Sequence, residues 1–143
     1  MELKVKKLRA EAQLPRRATA SSTGLDLFAC IGRDNIIQID STPKLIGTGI
    51  AIEFPPGYDV QIRPRSGLSS KGVGVTLGTI DSDYRGEVMV TMYMLTPDAG
   101  FEIRHGDRIA QMVVNKLEGV QVVETTELSA TKRGDGGHGS TGR

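Results

Sequence analysis

Residues 50–62 read Ile50-Ala51-Ile52-Glu53-Phe54-Pro55-Pro56-Gly57-Tyr58-Asp59-Val60-Gln61-Ile62. Large apolar side chains fall on alternate positions on both sides of a Pro-Pro-Gly turn. A period of two puts one face of a strand in a core and the other toward solvent. The alternation returns in Val88, Val90, Met92 and Met94. Short runs at 3–8, 25–30, 35–40, 45–54, 73–80, 101–104, 109–117 and 120–124 extend the pattern. Asp98-Ala99-Gly100 and His105-Gly106-Asp107 punctuate it as turns. Many short strands at regular spacing predict an all-β barrel or sandwich. One helical turn is expected at 66–72, with Ser66 as its N-cap.

The chain has 143 residues, 38% hydrophobic and 24% charged, which fits one globular domain rather than a disordered chain. Eighteen Lys and Arg face 17 Asp and Glu, a net charge of +1. That balance argues against a general nucleic-acid binder, which needs a broad basic face. No apolar run reaches the ~18 residues of a membrane span. The basic residues near Met1 are not followed by an apolar stretch, so no secretory signal is expected. Cys30 is the only cysteine and cannot form an internal disulfide, which predicts a reducing, cytoplasmic setting. With no Trp, three Phe and three Tyr, the core has to be aliphatic. Eighteen glycines, many clustered, predict tight turns or close backbone approach to a ligand.

Five segments could carry chemistry. Thr23-Gly24-Leu25-Asp26-Leu27 is a turn feeding a strand, where an Asp usually bonds the turn or faces solvent. In Arg63-Pro64-Arg65-Ser66-Gly67-Leu68-Ser69 a strand gives way to a helix start. Orphan N–H groups there attract an anion, and Arg65 and Ser66 add donors, although simple capping accounts for Ser66 equally well. In Gly78-Thr79-Ile80-Asp81-Ser82-Asp83-Tyr84-Arg85-Gly86, Asp81 and Asp83 suggest a calcium loop. Its fifth and twelfth positions hold Arg85 and Met92, so that reading fails. An ionised carboxylate able to take a proton from water remains, and an ion pair with Arg85 suits Asp83 better than Asp81. In Gly106-Asp107-Arg108-Ile109-Ala110-Gln111-Met112, Gln111 is either a ligand contact or a satisfied core amide.

The fifth segment is 129–143, SATKRGDGGHGSTGR, with almost nothing apolar to build a core. Its composition suits a disordered tail or a mobile lid. Gly134-x4-Gly139-Ser140-Thr141 imitates a P-loop, but Ser140 stands where that motif needs Lys. Glycines, Arg133 and two hydroxyls could still wrap a phosphate. The tripeptide Arg133-Gly134-Asp135 is read as chance, not as an adhesion motif.

Taken in order, these segments resemble the five motifs of the trimeric dUTP nucleotidohydrolases (dUTPases). RPRSGLS at 63–69, GTIDSDYRGE at 78–87, GDRIAQ at 106–111 and RGDGGHGSTG at 133–142 carry the likeness. The dCTP deaminases share the fold, but the IDSDYRG segment and the glycine-rich tail are dUTPase features. The resemblance implies a distorted β-barrel or jelly-roll domain at 1–128 and a flexible arm at 129–143 that closes the active site. It implies a homotrimer with sites built from more than one chain, and dUTP hydrolysis to dUMP and pyrophosphate with Mg2+.

By position, Asp81 matches the carboxylate that orients and deprotonates the attacking water. Ser66 and Gln111 match phosphate contacts, with Arg65 and Gly67 alongside. Asp26 matches a residue that reaches the metal through water rather than by direct ligation. Tyr84 matches the ring that packs against deoxyribose and excludes a 2′-hydroxyl. Val75, Gly78, Thr79, Ile80 and Met89 fall on the hairpin used to recognise uracil, largely through the main chain. Arg133, Gly139, Ser140 and Thr141 match the arm over the γ-phosphate. Two positions depart from the common pattern: Val75 replaces a frequent Asn, and His138 replaces a frequent Phe, where an imidazole can still stack on the base. Extended, residues 130–143 span at most ~46 Å. A domain of this size has a radius of gyration of ~14–15 Å, so the arm can cross to a neighbour.

Overall fold

A computed structural model of the chain describes residues 1–138. Strands follow in the order β1 (Lys4–Lys7), β2 (Leu25–Phe28), β3 (Ile36–Ile39), β4 (Lys44–Gly47), β5 (Ile50–Glu53) and β6 (Tyr58–Arg63). A short helix, α1 (Ser66–Ser69), precedes β7 (Val73–Val75), β8 (Gly78–Ile80), β9 (Met89–Met94), β10 (Phe101–Arg104) and β11 (Arg108–Lys116). All pairings are antiparallel. The four-stranded sheet runs β2-β11-β6-β8 and the three-stranded sheet β4-β9-β7, with β1-β5 and β3-β10 as two-stranded ribbons. Neighbours in a sheet are mostly distant in sequence, as in a jelly roll, where chain crossings stitch separate sheets around one core. No described helix is long and apolar enough to cross a membrane.

The alternation that predicted strands also predicts the core. Ile50, Ile52, Phe54, Val60, Ile62, Val88, Val90, Met92 and Met94 are all buried. The core is aliphatic, with Phe28 and Phe54 its only buried aromatic rings among the described residues.

The structure corrects several boundaries. The run 45–54 is two strands, because the chain turns at Gly49, whose φ is +70°. A Cβ there would lie 2.8 Å from both the Ala12 Cβ and the Cys30 Sγ. Gly49→Ala therefore combines a disfavoured backbone with overpacking, and is expected to cost about 2–4 kcal/mol and lower Tm by several degrees. The run 73–80 also splits. β7 pairs with β9 while β8 pairs with β6, so the expected uracil-reading hairpin is a corner between two sheets. Ser66 is the first helical residue rather than the N-cap. Arg65 holds the cap position with φ −103° and ψ 133°, and makes no side-chain cap bond. Residues 120–124 form no strand: Val120, Val122 and Val123 are 81%, 92% and 71% exposed.

Candidate active site

β8 is the edge of its sheet, so the outer backbone groups of Gly78, Thr79 and Ile80 have no ladder partner among the described residues. Those residues line a cleft of about 230 Å³ together with Asp81, Tyr84 and Met89. Ile62 forms its floor, and Gly78 sits close on it because a Cβ would come within 3.3 Å of the Ile62 side chain. The cleft sets main-chain groups of the β8 edge, unpaired among the described residues, beside apolar side chains, a lining that a heterocyclic ring can use. Asp81 follows β8 directly, is exposed, and also borders a second cleft with Tyr58 and Asp59. Its side chain makes no hydrogen bond or ion pair among the described residues. The expected ion pair of Asp83 with Arg85 is replaced: Arg85 donates to the carbonyls of Ser82 and Tyr84 and lies 3.7 Å from Glu53. Carbonyls of its own turn are simply nearer than either aspartate.

The ring of Tyr84 folds back over the turn that follows it. Its hydroxyl donates to the Glu87 carbonyl at 3.0 Å. A Cβ on Gly86 would come within 2.3 Å of that hydroxyl, so only glycine admits the ring there. Val75 does not join this group. Its side chain is buried in the core, opposite Met92 in the β7–β9 ladder.

A second group forms where β2, β11 and β6 meet. Asp26, Gln111 and Arg63 are register partners and share one face, opposite the face of Leu25, Met112 and Ile62. Gln111 Nε2 donates to the Pro64 carbonyl at 2.9 Å, tying β11 to the approach of α1. Asp26 is buried to 8% exposure and accepts from Arg65 Nε at 3.0 Å and from Arg108 Nη1 at 3.5 Å. Arg65 also donates to the Arg108 carbonyl. Ser66 and Gly67 are exposed beside it, and a Cβ on Gly67 would meet nothing within 4 Å. Basic and polar donors thus converge on one buried carboxylate, a local positive site in a chain of near-zero net charge.

Gly24 supports this group, a role that the sequence hid. A Cβ there would lie 2.2 Å from Gln111 Oε1. Gly24→Ala is expected to push the amide off Pro64 and lower kcat/KM by about tenfold, the worth of one hydrogen bond, as steady-state kinetics would show.

The two groups stand apart within one chain. β6 faces Ile80 through Val60 and Gln111 through Arg63, three residues or ~10 Å further along the strand. Asp26 and Arg65 line clefts other than the one beside Asp81. The described part of the arm does not bridge them. Arg133 Nε donates to the Gly136 carbonyl at 2.8 Å, closing its own turn. His138 is exposed with a φ of +49°. Gly139, Ser140 and Thr141 lie outside the described residues.

Glu87 also lines the cleft, and its side chain anchors the loop. Its Oε1 accepts from Arg9 Nη2 at 2.5 Å and from the Gly49 N–H at 2.7 Å, and its Oε2 accepts from Arg9 Nη1 at 3.3 Å. Burial pushes the Glu87 carboxyl up, but the Arg9 bonds and the Gly49 N–H outweigh it and hold the group below its ordinary value. Arg9 is correspondingly held above its own, by Glu87 first and then by Cys30.

Among the described residues no three His, Cys, Asp or Glu side chains gather as a metal cage. The donor set suits Mg2+ held mainly by phosphate oxygens and water, with one carboxylate at a distance. Asp26 fits that role, since its two oxygens each accept one arginine and retain lone pairs for a bound water.

An antiparallel jelly roll with a cleft at a sheet edge, a carboxylate without a side-chain partner among the described residues and a separate arginine-rich cluster has the parts that a nucleotide-binding β-barrel needs. The dUTPase family model matches residues 10–142. The deoxyuridine 5'-triphosphate nucleotidohydrolase of Hydrogenobaculum sp. is 53% identical, with 99% of each chain covered. That of Nautilia profundicola is 48% identical over the whole of both chains. A dUTPase of Staphylococcus bacteriophage 80alpha, solved with dUpNHpp, superposes with a TM-score of 0.89 at 24% identity, covering 99% of each chain. The chain belongs to the dUTPase family.

Proposed function

We propose that this chain hydrolyses dUTP to dUMP and pyrophosphate, limiting uracil in DNA and supplying dUMP for thymidylate synthesis. The observation that carries the reading is the exposed Asp81, without a side-chain partner among the described residues, at the rim of a cleft walled by a sheet edge. Uracil lies in that cleft against Gly78, Thr79, Ile80 and Met89, read by the free edge of β8. A close wall rejects the methyl of thymine, and mismatched donors and acceptors reject cytosine. Tyr84 packs on the deoxyribose. Asp81 accepts a proton from a water as its oxygen attacks the α-phosphorus. The bond from that phosphorus to its bridging oxygen breaks, and pyrophosphate departs. Arg65, Ser66, Gly67 and Gln111 hold the phosphate oxygens, and Arg133, Gly139, Ser140 and Thr141 close over the γ-phosphate with His138 stacked on the base. Mg2+, when bound, screens the triphosphate charge, with Asp26 reaching it through water.

We further propose a homotrimer with shared active sites. The placing of the two residue groups in different clefts of one chain is compatible with it, since a neighbouring chain could bring one group opposite the other. Val120, Val122, Val123 and Leu128, between 71% and 92% exposed, supply apolar surface for a neighbour to cover. Sedimentation should give a three-chain mass. The functional reading is tested by pyrophosphate release from dUTP, dCTP, dTTP and UTP, with and without Mg2+. Turnover confined to dUTP and greatest with Mg2+ is expected; ammonia release from dCTP would point to a deaminase and overturn it.

A further inference from the structure

The contact that holds Tyr84 continues away from the cleft, into the N-terminal segment. The hydroxyl of Tyr84 is bonded to the main chain of Glu87, and the carboxylate of Glu87 is bonded to Arg9, 78 positions earlier. Arg9 is fixed in turn. It donates to the Cys30 carbonyl at 3.1 Å, its Nε lies 3.4 Å from the Cys30 sulfur, and the preceding Leu8 N–H is bonded to the Gly49 carbonyl. The next residue along, Val88, is clamped through its main chain by Thr48 and Ile50. The main chain of Gly86 and Glu87 has no such ladder among the described residues. It is held to the barrel through the Glu87 side chain, and the ring of Tyr84 lies upon it.

We propose that Arg9 is a positioning residue for sugar discrimination: through Glu87 it fixes the turn on which Tyr84 rests, and so sets the space left for the 2′ position of the nucleotide. The proposal rests on the dUTPase reading above. Arg9 touches no nucleotide in this scheme. Its part is to keep the Gly86–Glu87 main chain from drifting outward. A drift of that main chain would carry the Tyr84 hydroxyl with it and widen the pocket where a ribose hydroxyl must be refused. A guanidinium suits the task because it binds both oxygens of Glu87 from one planar fork.

The test uses Arg9→Ala, Arg9→Lys and Glu87→Gln in the full chain, with two readouts. Steady-state kinetics on dUTP and UTP should show KM for dUTP rising about tenfold in Arg9→Ala, kcat within about threefold, and the dUTP-over-UTP preference falling about tenfold. Arg9→Lys should recover part of that preference. Independently, the three tyrosines allow 19F NMR of 3-fluorotyrosine protein, with the Tyr84 line assigned by Tyr84→Phe. That line should shift or broaden in Arg9→Ala and Glu87→Gln while those of Tyr58 and Tyr93 stay. Should Arg9→Ala not fold, Arg9→Lys and Glu87→Gln carry both readouts. An unchanged preference together with an unmoved Tyr84 line overturns the inference, even if Tm falls. Lack of dUTP turnover by the unaltered protein would instead overturn the functional reading, and the NMR result would still stand.

Discussion

Asp81→Asn should lower kcat for dUTP by about 10²–10⁴-fold, the usual worth of a positioned general base. Affinity for a non-hydrolysable dUTP analogue should stay within about threefold. The replacement keeps the shape of the side chain and removes only its ability to take a proton. The Asp81 side chain is exposed and has no partner among the described residues, so its replacement leaves no buried partner stranded. Stability should then change by no more than about 0.5 kcal/mol. Removing a negative charge beside a triphosphate does not weaken binding, which separates this variant from one with a damaged pocket. Single-turnover kinetics, analogue titration and thermal melting measure the three quantities. Substantial activity in the variant would remove Asp81 from the chemistry.

Deleting residues 131–143 should lower kcat/KM by about 10²–10⁴-fold while leaving Tm nearly unchanged. Arg133 and the hydroxyls of Ser140 and Thr141 would supply charge-assisted bonds to the γ-phosphate, each worth about 1.5–3 kcal/mol, and two such bonds account for the loss. The described part of the arm is bonded only within itself, through Thr131, Arg133, Gly134 and Gly136. Removing it therefore breaks no described hydrogen bond to the barrel. Kinetics and melting on the same preparation check both halves of the expectation. A truncated chain with full activity would leave the arm without a catalytic part, and one that no longer melts cooperatively would make it structural.

The sequence carried the strands well, because period-two burial is a local signal. Ile50 to Ile62 and Val88 to Met94 each show on their own which face is inside. It singled out Asp81, Arg65 and Gln111 as parts of local motifs for the same reason. What it missed is set by contacts between distant segments. Gly49 looks like any other glycine in an apolar run until Ala12 and Cys30 are seen against it. Nothing local assigns β7 and β8 to different sheets. The Arg9–Glu87 pair and the approach of Gly24 to Gln111 link positions 78 and 87 apart, respectively. The glycines at 24 and 86, each inside a motif that could carry chemistry, are the available hint, since close approach by a side chain is one of the few reasons for a glycine there. The alternation at 120–124 predicts a strand, and among the described residues that segment finds no partner to make it one.

In the proposed mechanism Asp81 aims a water at the α-phosphorus from the rim of the uracil cleft. A crystal structure of the assembled protein with Mg2+ and a dUTP analogue carrying nitrogen in place of the α,β-bridging oxygen would reveal that water. It is expected about 2.6–3.2 Å from an Asp81 carboxylate oxygen, in line with the bond between the α-phosphorus and that nitrogen. An Asp81 side chain turned from the phosphate, with no water on that line, would contradict the mechanism.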